Sequence, residues 1–350
     1  MKDVLRALDK GIRYYHSIST HGGYLWNYSA DLKERWGESR ATESQIWVQP
    51  PGTPSVGDAF LRAYKVTGKK FYLSCAEDAG EALIYGQKEP GGWEYRIDFN
   101  RKPRNNYCTF DDNTTQSALR FLMALDMVLQ KESVHKAVEK GLNFMLESQY
   151  ETGGWPQWYP LRGGYHDFYT FNDNAINDCI NVMIDAYKYY GKPEYLRSIV
   201  KAGDFIILSQ CPPLQSGWAQ QYNLCLQPAW ARSFEPPAVC GSATARNIIT
   251  LIKIYLVTGS RKYLEPIPDA IRWLEDSRLP NGRWARFYAL GTNKPLYYDR
   301  GRKLVSSVNE LCRERRTGYG YETEIDLESI IKYYNEVKTL GRNEYLKKEK

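Results

Sequence analysis

Residues 153–191, GGWPQWYPLRGGYHDFYTFNDNAINDCINVMIDAYKYYG, decide how the chain folds. Ile176, Cys179, Ile180 and Met183 fall at i, i+3, i+4 and i+7, the helical period, and Gly191 marks the helix end. A second periodic run, PEYLRSIVKAGDFIILSQ at 193–210, follows at once, so the two helices form an antiparallel pair. Ahead of the pair lies a segment dense in Trp, Tyr, Phe and Gly that reaches Asp173 just before the apolar period begins. Aromatic faces, a backbone that can approach a ligand closely and a carboxylate at a helix entrance suit a sugar cleft with a metal or a base.

The same unit recurs along the chain. A Trp preceded by Gly closes HGGYLW at Trp26, EPGGW at Trp93, ETGGW at Trp155, LQSGW at Trp218 and PNGRW at Trp284, at intervals of 62 to 67 residues. Such a period marks a repeat architecture in which no unit buries its apolar face alone. Helix pairs are expected at 56–87, 114–149, 174–210 and 242–277. DLESIIKYYNEVKTLGRNEYL at 326–346 reads as a first helix without its partner, and VLRALDKGIRYYHSIS at 4–19 as a second helix without its first. The expected fold is all-α: an α/α toroid, or incomplete α/α barrel, of helical hairpins with short irregular or β segments at one rim. It forms one catalytic domain over residues 1–350, with the N- and C-terminal helices closing the ring.

Composition narrows the partners. A hydrophobic content of 43% with 25% charged residues is ordinary for a globular chain, whereas 28 Tyr and 10 Trp are many and favour stacking on carbohydrate. A net charge of +6 favours a polyanionic partner. Lys and Arg are dispersed and no nucleic-acid reader motif occurs, so an acidic polysaccharide is expected rather than nucleic acid. The seven Cys show no CxxC spacing and are odd in number, which indicates neither a zinc site nor a disulfide framework. No window approaches 18 apolar residues and the start is an amphipathic helix pattern, so no membrane association is expected.

Two segments match each other: YCTFDDNTTQ at 107–116 and FYTFNDNAIN at 168–177. They place Asp112 and Asp173 at equivalent repeat positions, with Asp111 beside the first. Helix capping accounts for Asn113 and for Asp112. Carboxylates on adjacent helix entrances would also converge at a toroid mouth, where oxygen ligands can hold Ca²⁺. GWAQQYNLCLQPAWARSFEPPAVCGS at 217–242 contributes Arg232 and Glu235, and GRWARFYALGTNKPLYYDRG at 282–301 contributes Arg286, Tyr288 and Arg300. A single surface Arg does little, but three within aromatic segments suit sugar carboxylates, which the guanidinium fork binds in pairs of hydrogen bonds.

The segments GTPSVG at 52–57, TFDDNTT, GGWPQWYPLRGGYHDFYTFNDNA, PAWARSFEPP and WARFYALGTNKPLYYDR together resemble those of the family ten polysaccharide lyases, pectate lyases with an α/α-toroid fold. The resemblance runs from about Ile46 to Arg302. It implies Ca²⁺-assisted β-elimination of polygalacturonate: a base removes the C5 proton beside the uronate carboxylate, and the C4 glycosidic oxygen leaves. By the same resemblance, Asp111 and Asp173 match acidic residues at the calcium and substrate-carboxylate site, and Arg232 matches the proposed base. Arg286 and Arg300 match arginines that hold substrate. Asp112 joins the metal candidates, while Tyr288, Trp158, Tyr165 and Glu235 are the further substrate-binding candidates. Asn223 stands where the family often has Asp, which bears on the substrate more than on the reaction. A secreted or periplasmic monomer is implied by the substrate.

An arginine base is costly. With a pKa above 12 its neutral form at pH 8.5 lies about 4 units, roughly 5 kcal/mol, uphill, so an alkaline optimum is expected. Three rivals remain. An inverting glycoside hydrolase would use two of Asp111, Asp173 and Glu235 as acid and base. A sugar-binding protein would keep the cleft without turnover. A triterpene-cyclase-like toroid is suggested by QKEPGGW at 87–93 and QYETGGW at 149–155, though here the Gln and Trp are expected to tie adjacent repeats structurally.

Overall fold

The computed structural model describes residues 2–102 and 104–348. The helices are α1 (Lys2–Ser17), α2 (Thr53–Thr67), α3 (Lys70–Gly86), α4 (Thr114–Leu129), α5 (Glu132–Glu147), α6 (Ala175–Tyr190), α7 (Pro193–Leu208), α8 (Gly241–Thr258), α9 (Ile267–Asp276), α10 (Arg313–Gly318) and α11 (Leu327–Lys348). The four expected pairs are therefore α2/α3, α4/α5, α6/α7 and α8/α9. The last is irregular: a 3₁₀ turn at Arg261–Leu264 precedes α9, because Pro266 and Pro268 interrupt the helical ladder. The fold is all-α and of the α/α-toroid class.

The chain divides into two compact units. The first takes the residues up to Ser148 together with Trp158–Pro160 and Lys188–Gly191, and holds α1 to α5. Its core is formed by residues such as Leu61, Leu83, Leu119, Leu122 and Phe144, all fully buried. Outside the helices it carries short antiparallel pairs, Gln45–Trp47 with Arg96–Asp98 and Cys108–Thr109 with Trp158–Tyr159. Helix α1 is tied to α3 by His16 to Asp78, 2.9 Å, and by the Tyr72 hydroxyl donating to Asp9, 2.9 Å.

The second unit takes Gln149–Gln157, Leu161–Tyr187 and the chain from Lys192 onward. Buried Ile180, Met183, Phe205, Ile248, Leu251 and Leu274 fill its core. Asn177 on α6 donates to Asn247 and Thr250 on α8 at 2.8 and 2.9 Å, and α11 packs on α8, where Arg342 donates to the Leu256 carbonyl at 2.8 Å. Its strands form a five-stranded antiparallel sheet in the order 303–305, 295–299, 287–289, 238–240, 218–219. Strands of two to five residues carry too little alternation to read from sequence.

The Gly-Trp repeat is a clamp. Trp93, Trp218 and Trp284 are fully buried, and each indole N–H donates to a carbonyl near the end of the preceding helix: Leu83 at 2.8 Å, Ile206 at 2.7 Å and Leu274 at 2.7 Å. The backbone N–H of Trp93 donates to Thr115 and that of Trp218 to Thr244, both at 3.0 Å, hydroxyls on the first turn of the next first-type helix. In the first repeat this role falls to Tyr24, whose N–H donates to Thr53 at 2.9 Å, so Tyr24 and not Trp26 is the repeat mark. Gln87 donates to Gly91 and to Ala137 one repeat on, Gln149 to Gly153 and Ser198, and Gln210 to Ser216 and Pro266, all at 2.8 to 3.1 Å. Gly153 has φ +104, and a Cβ there would lie 2.0 Å from the Lys201 carbonyl, so this approach admits only glycine.

Candidate active site

The matched TFDDN and TFNDN segments fold into the same turn, one in each unit. In the first, the Thr109 hydroxyl accepts from the Asp111 N–H at 3.0 Å; in the second, Thr170 accepts from Asn172 N–H at 3.1 Å. The next two residues are left-handed in both: Asp112 and Asn113 at φ 50 and 57, Asp173 and Asn174 at φ 45 and 63. Each such non-glycine residue costs about 1–2 kcal/mol, so two in succession, twice over, are strain that the surrounding fold holds in place. Capping does not explain them. Asn113 occupies the N-cap of α4 without a side-chain cap bond, which corrects the capping expectation for that residue, and Asp112 accepts instead from Gln49 at 2.9 Å. The turn places an acidic side chain at each helix entrance, partly buried at Asp112 and exposed at Asp173.

In the first unit Asp111 accepts from the Tyr95 hydroxyl at 2.9 Å, and Tyr95 packs edge-on against Trp158 at 5.7 Å. Burial, with the charge of Asp111 added, pushes the Tyr95 hydroxyl far above its usual range and keeps it a donor. Trp158 is 9% exposed and buttresses this contact, so it offers no open face for a sugar.

In the second unit Asp173 is exposed and accepts from the neighbouring Asn172 amide at 2.6 Å. It lines a cleft of about 260 Å³ together with Asn172, Gln220, Ser242, Arg246, Arg286 and Glu322. The Arg286 fork is spent on neutral groups, Nη2 donating to Asn172 at 2.7 Å and Nε to Gln220 at 2.8 Å, while its face lies 4.4 Å over the Tyr319 ring. Burial would lower its pKa, but Tyr319, Cys240, Asp173 and Glu235 outweigh that and raise it, so it stays charged. Arg286 thus presents a fixed positive charge to the cleft.

Arg232 and Glu235 form a forked pair: Nε to Oε2 at 2.8 Å and Nη2 to Oε1 at 2.6 Å, with the Arg232 N–H donating to Oε2 at 3.1 Å. Gln220 at 3.0 Å and the Tyr319 hydroxyl at 2.9 Å also donate to Glu235. Burial would raise its carboxyl, yet the hydrogen bonds and charge of Arg232 hold it below the usual range. Glu235 is 3% exposed and saturated, which corrects its assignment to substrate: its oxygens are taken up by Arg232, Gln220 and Tyr319. Arg300 is exposed and forked to Glu314 at 3.0 and 2.8 Å. Arg232, Arg300 and Arg315 all lie over the Phe234 ring, at 4.9, 5.4 and 4.1 Å.

Two further placements matter. Tyr288 is 1% exposed, its hydroxyl donating to Ser277 at 2.6 Å and accepting from the Ala285 N–H at 2.9 Å, so it is a core residue and not a substrate contact. Tyr165 is half-buried and stacks on His166 at 4.1 Å. Sequence reasoning missed Arg246, Tyr319 and Asn172. Arg246 is exposed on α8 and its side chain makes no hydrogen bond or ion pair with a described residue; its sequence signal was a long cation within two turns of an entrance already rich in candidates. Tyr319 lies outside every stretch that carried a motif.

A fold of repeated helix pairs with carboxylates and guanidinium groups at the helix entrances belongs with the α/α-toroid enzymes, and the solved structures agree. The family ten polysaccharide lyase from Cellvibrio cellulosa matches at 23% identity over 82% of this chain and 96% of that one, TM-score 0.63. A point mutant of that lyase in complex with trigalacturonic acid matches over 82% and 98% at 22% identity, TM-score 0.63. An unsaturated glucuronyl hydrolase specific for heparin shares the fold at 11% identity over 94% and 80%, TM-score 0.53. No curated protein sequence matches significantly. The pectic acid lyase family profile matches residues 97–283 and 278–328, more than half of the chain. The chain belongs to the pectic acid lyase family and is a polysaccharide lyase.

Proposed function

We propose that the protein cleaves polygalacturonate, or a closely related uronan, by Ca²⁺-assisted β-elimination. The observation that carries this is the cleft in which the exposed Asp173 carboxylate lies with the charged Arg286 and the unpaired Arg246. A uronate brings a carboxylate that such guanidinium groups bind. The Cellvibrio cellulosa lyase complex with trigalacturonic acid supports the same ligand class.

In this reading Asp111 and Asp112 are the candidate cation ligands of the first unit and Asp173 that of the second. They are oxygen donors on two copies of one strained turn, the hard ligand type that Ca²⁺ takes. When bound, Ca²⁺ would neutralise the uronate carboxylate and stabilise charge that develops at C5. Arg286, fixed by Asn172 and Gln220, orients the substrate carboxylate. Arg232 takes the C5 proton, with Glu235 beneath it setting its direction. A carboxylate partner favours the charged guanidinium, so this step calls for alkaline pH. Arg300 holds a neighbouring sugar once it is shared with Glu314. The substrate makes a secreted or periplasmic setting the natural one, and the protein acts as a monomer in this reading; no helix among the described residues is long and apolar enough to cross a membrane.

The test is incubation with polygalacturonate, methylated pectin and alginate, with and without Ca²⁺, followed by near-ultraviolet absorbance of the unsaturated product. Arg232→Ala is expected to abolish turnover while sparing binding. Saturated reducing ends without that absorbance would replace the lyase reading by hydrolysis.

A further inference from the structure

One concave site of the first unit has no place in the chemistry above. It is a pocket of about 490 Å³ lined by Tyr85, Lys88, Glu94, Arg96, Asp98, Arg101, Lys102 and Arg104, among others. Its charges do not cancel. Lys88 is buried and committed to Glu94 at 2.7 Å and to Asn105 at 3.1 and 3.2 Å. Asp98 accepts from Ser44 at 2.8 Å, Gln45 at 3.0 Å and the Asn100 N–H at 3.0 Å; burial would raise its carboxyl, and these bonds together with the charge of Arg101 keep it low. Both acids are therefore occupied. Arg96, Arg101, Lys102 and Arg104 are exposed, and none forms an ion pair with a described residue. These four cations outnumber Asp98, the one lining carboxylate that Lys88 does not match, and leave the concavity positive.

The same pocket carries an aromatic platform. Tyr85 is 61% exposed, and its ring stacks on Phe99 at 4.7 Å with 26° between the planes. His21 backs Phe99 at 4.4 Å, and the Tyr85 hydroxyl donates to the Phe99 carbonyl at 3.3 Å, so the exposed ring is held flat from behind. Arg96 lies 5.9 Å over the buried Trp47, which fixes the stem of that cation. A rigid ring beside several guanidinium groups suits a ligand with both a flat apolar sugar face and repeated carboxylates.

We infer that this pocket is a second polyuronate-binding site, which holds a stretch of acidic polysaccharide with residues that take no part in cutting the bond. The choice of uronate as the anion rests on the proposed function; the presence of a polyanion site rests on the pocket alone. Such a site raises the time an enzyme spends on a polymer and does nothing for a substrate too short to reach it.

The experiment compares wild type with the Arg96→Ala/Arg101→Ala/Arg104→Ala variant, none of whose positions takes part in the proposed chemistry. Migration through gels with and without embedded polygalacturonate reads binding; steady-state cleavage of polygalacturonate and of trigalacturonate reads turnover. The variant is expected to lose most of the gel retardation and to raise KM on the polymer about tenfold, with a flatter salt dependence and unchanged trigalacturonate turnover. Tyr85→Ala keeps every charge and is expected to weaken polymer retardation at high salt, where stacking persists. Equal retardation of wild type and triple variant would overturn the inference, as would retardation by double-stranded DNA as strong as by polygalacturonate. Retardation lost in the variant while wild type cleaves no uronan would leave the pocket standing and remove the catalytic reading instead. Should the triple variant not fold, Lys102→Glu alone tests the same charge and is expected to reduce retardation.

Discussion

Replacing Glu235 by Gln tests the arrangement at its tightest point. The carboxylate is 3% exposed and accepts five hydrogen bonds, three from Arg232 and one each from Gln220 and Tyr319. Glutamine keeps the volume but only one acceptor oxygen, and its amide turns donors toward donors. Removing one partner of a buried ion pair costs about 3–5 kcal/mol. The Arg232 side chain is 44% exposed and water can resolvate it, so about 2 kcal/mol is the expected loss of stability here. The catalytic effect is larger than the stability effect. An Arg232 released from its fork wanders by an ångström or more, which is worth about a hundredfold in kcat. Urea unfolding and initial-rate assays on polygalacturonate measure the two effects separately. The pH dependence adds a third reading. The folded carboxyl lies below its ordinary value of 4.5, so its stabilisation is complete above that value and is lost as pH falls through the folded pKa. The wild type then loses an increment on acidification that the Gln variant lacks. A variant with wild-type kcat on a folded protein would refute the positioning role, and with it the assignment of Arg232 to the reacting proton.

Arg246→Ala is expected to raise KM for oligogalacturonates about tenfold with little change in kcat, because an exposed guanidinium with no internal partner binds substrate without ordering the core. Asp173→Ala is expected to abolish the Ca²⁺ dependence of activity or the activity itself, and excess chelator is expected to silence the wild type; turnover at pH 6 in chelator would contradict both. Gly153→Ala places a Cβ 2.0 Å from the Lys201 carbonyl at φ +104 and is expected to destabilise by about 2 kcal/mol or more, read as a lower urea midpoint with unchanged slope. The rate profile is expected to rise toward alkaline pH, since a guanidinium base gains its neutral form only there.

The helix pairs were legible because period and punctuation agree: apolar residues at helical spacing, a Gly such as Gly68 or Gly259 left-handed at a helix end, and Trp anchors every 62 to 66 residues from Trp93 on. The TFDDN and TFNDN segments fold alike, because matching local sequence imposes one turn. What the residues along the chain left open was partnership. Glu235 and Tyr288 looked like binding groups, yet both are buried and consumed by hydrogen bonds from elsewhere in their unit, Tyr319 to Glu235 across 84 positions of sequence. Arg246 carried no motif, yet its side chain lines the cleft with no ion pair to a described residue. Spacing encodes what a segment does with its neighbours in sequence. Whether a charge is spent or free depends on residues that only the folded chain brings near, and that is the property on which catalysis turns.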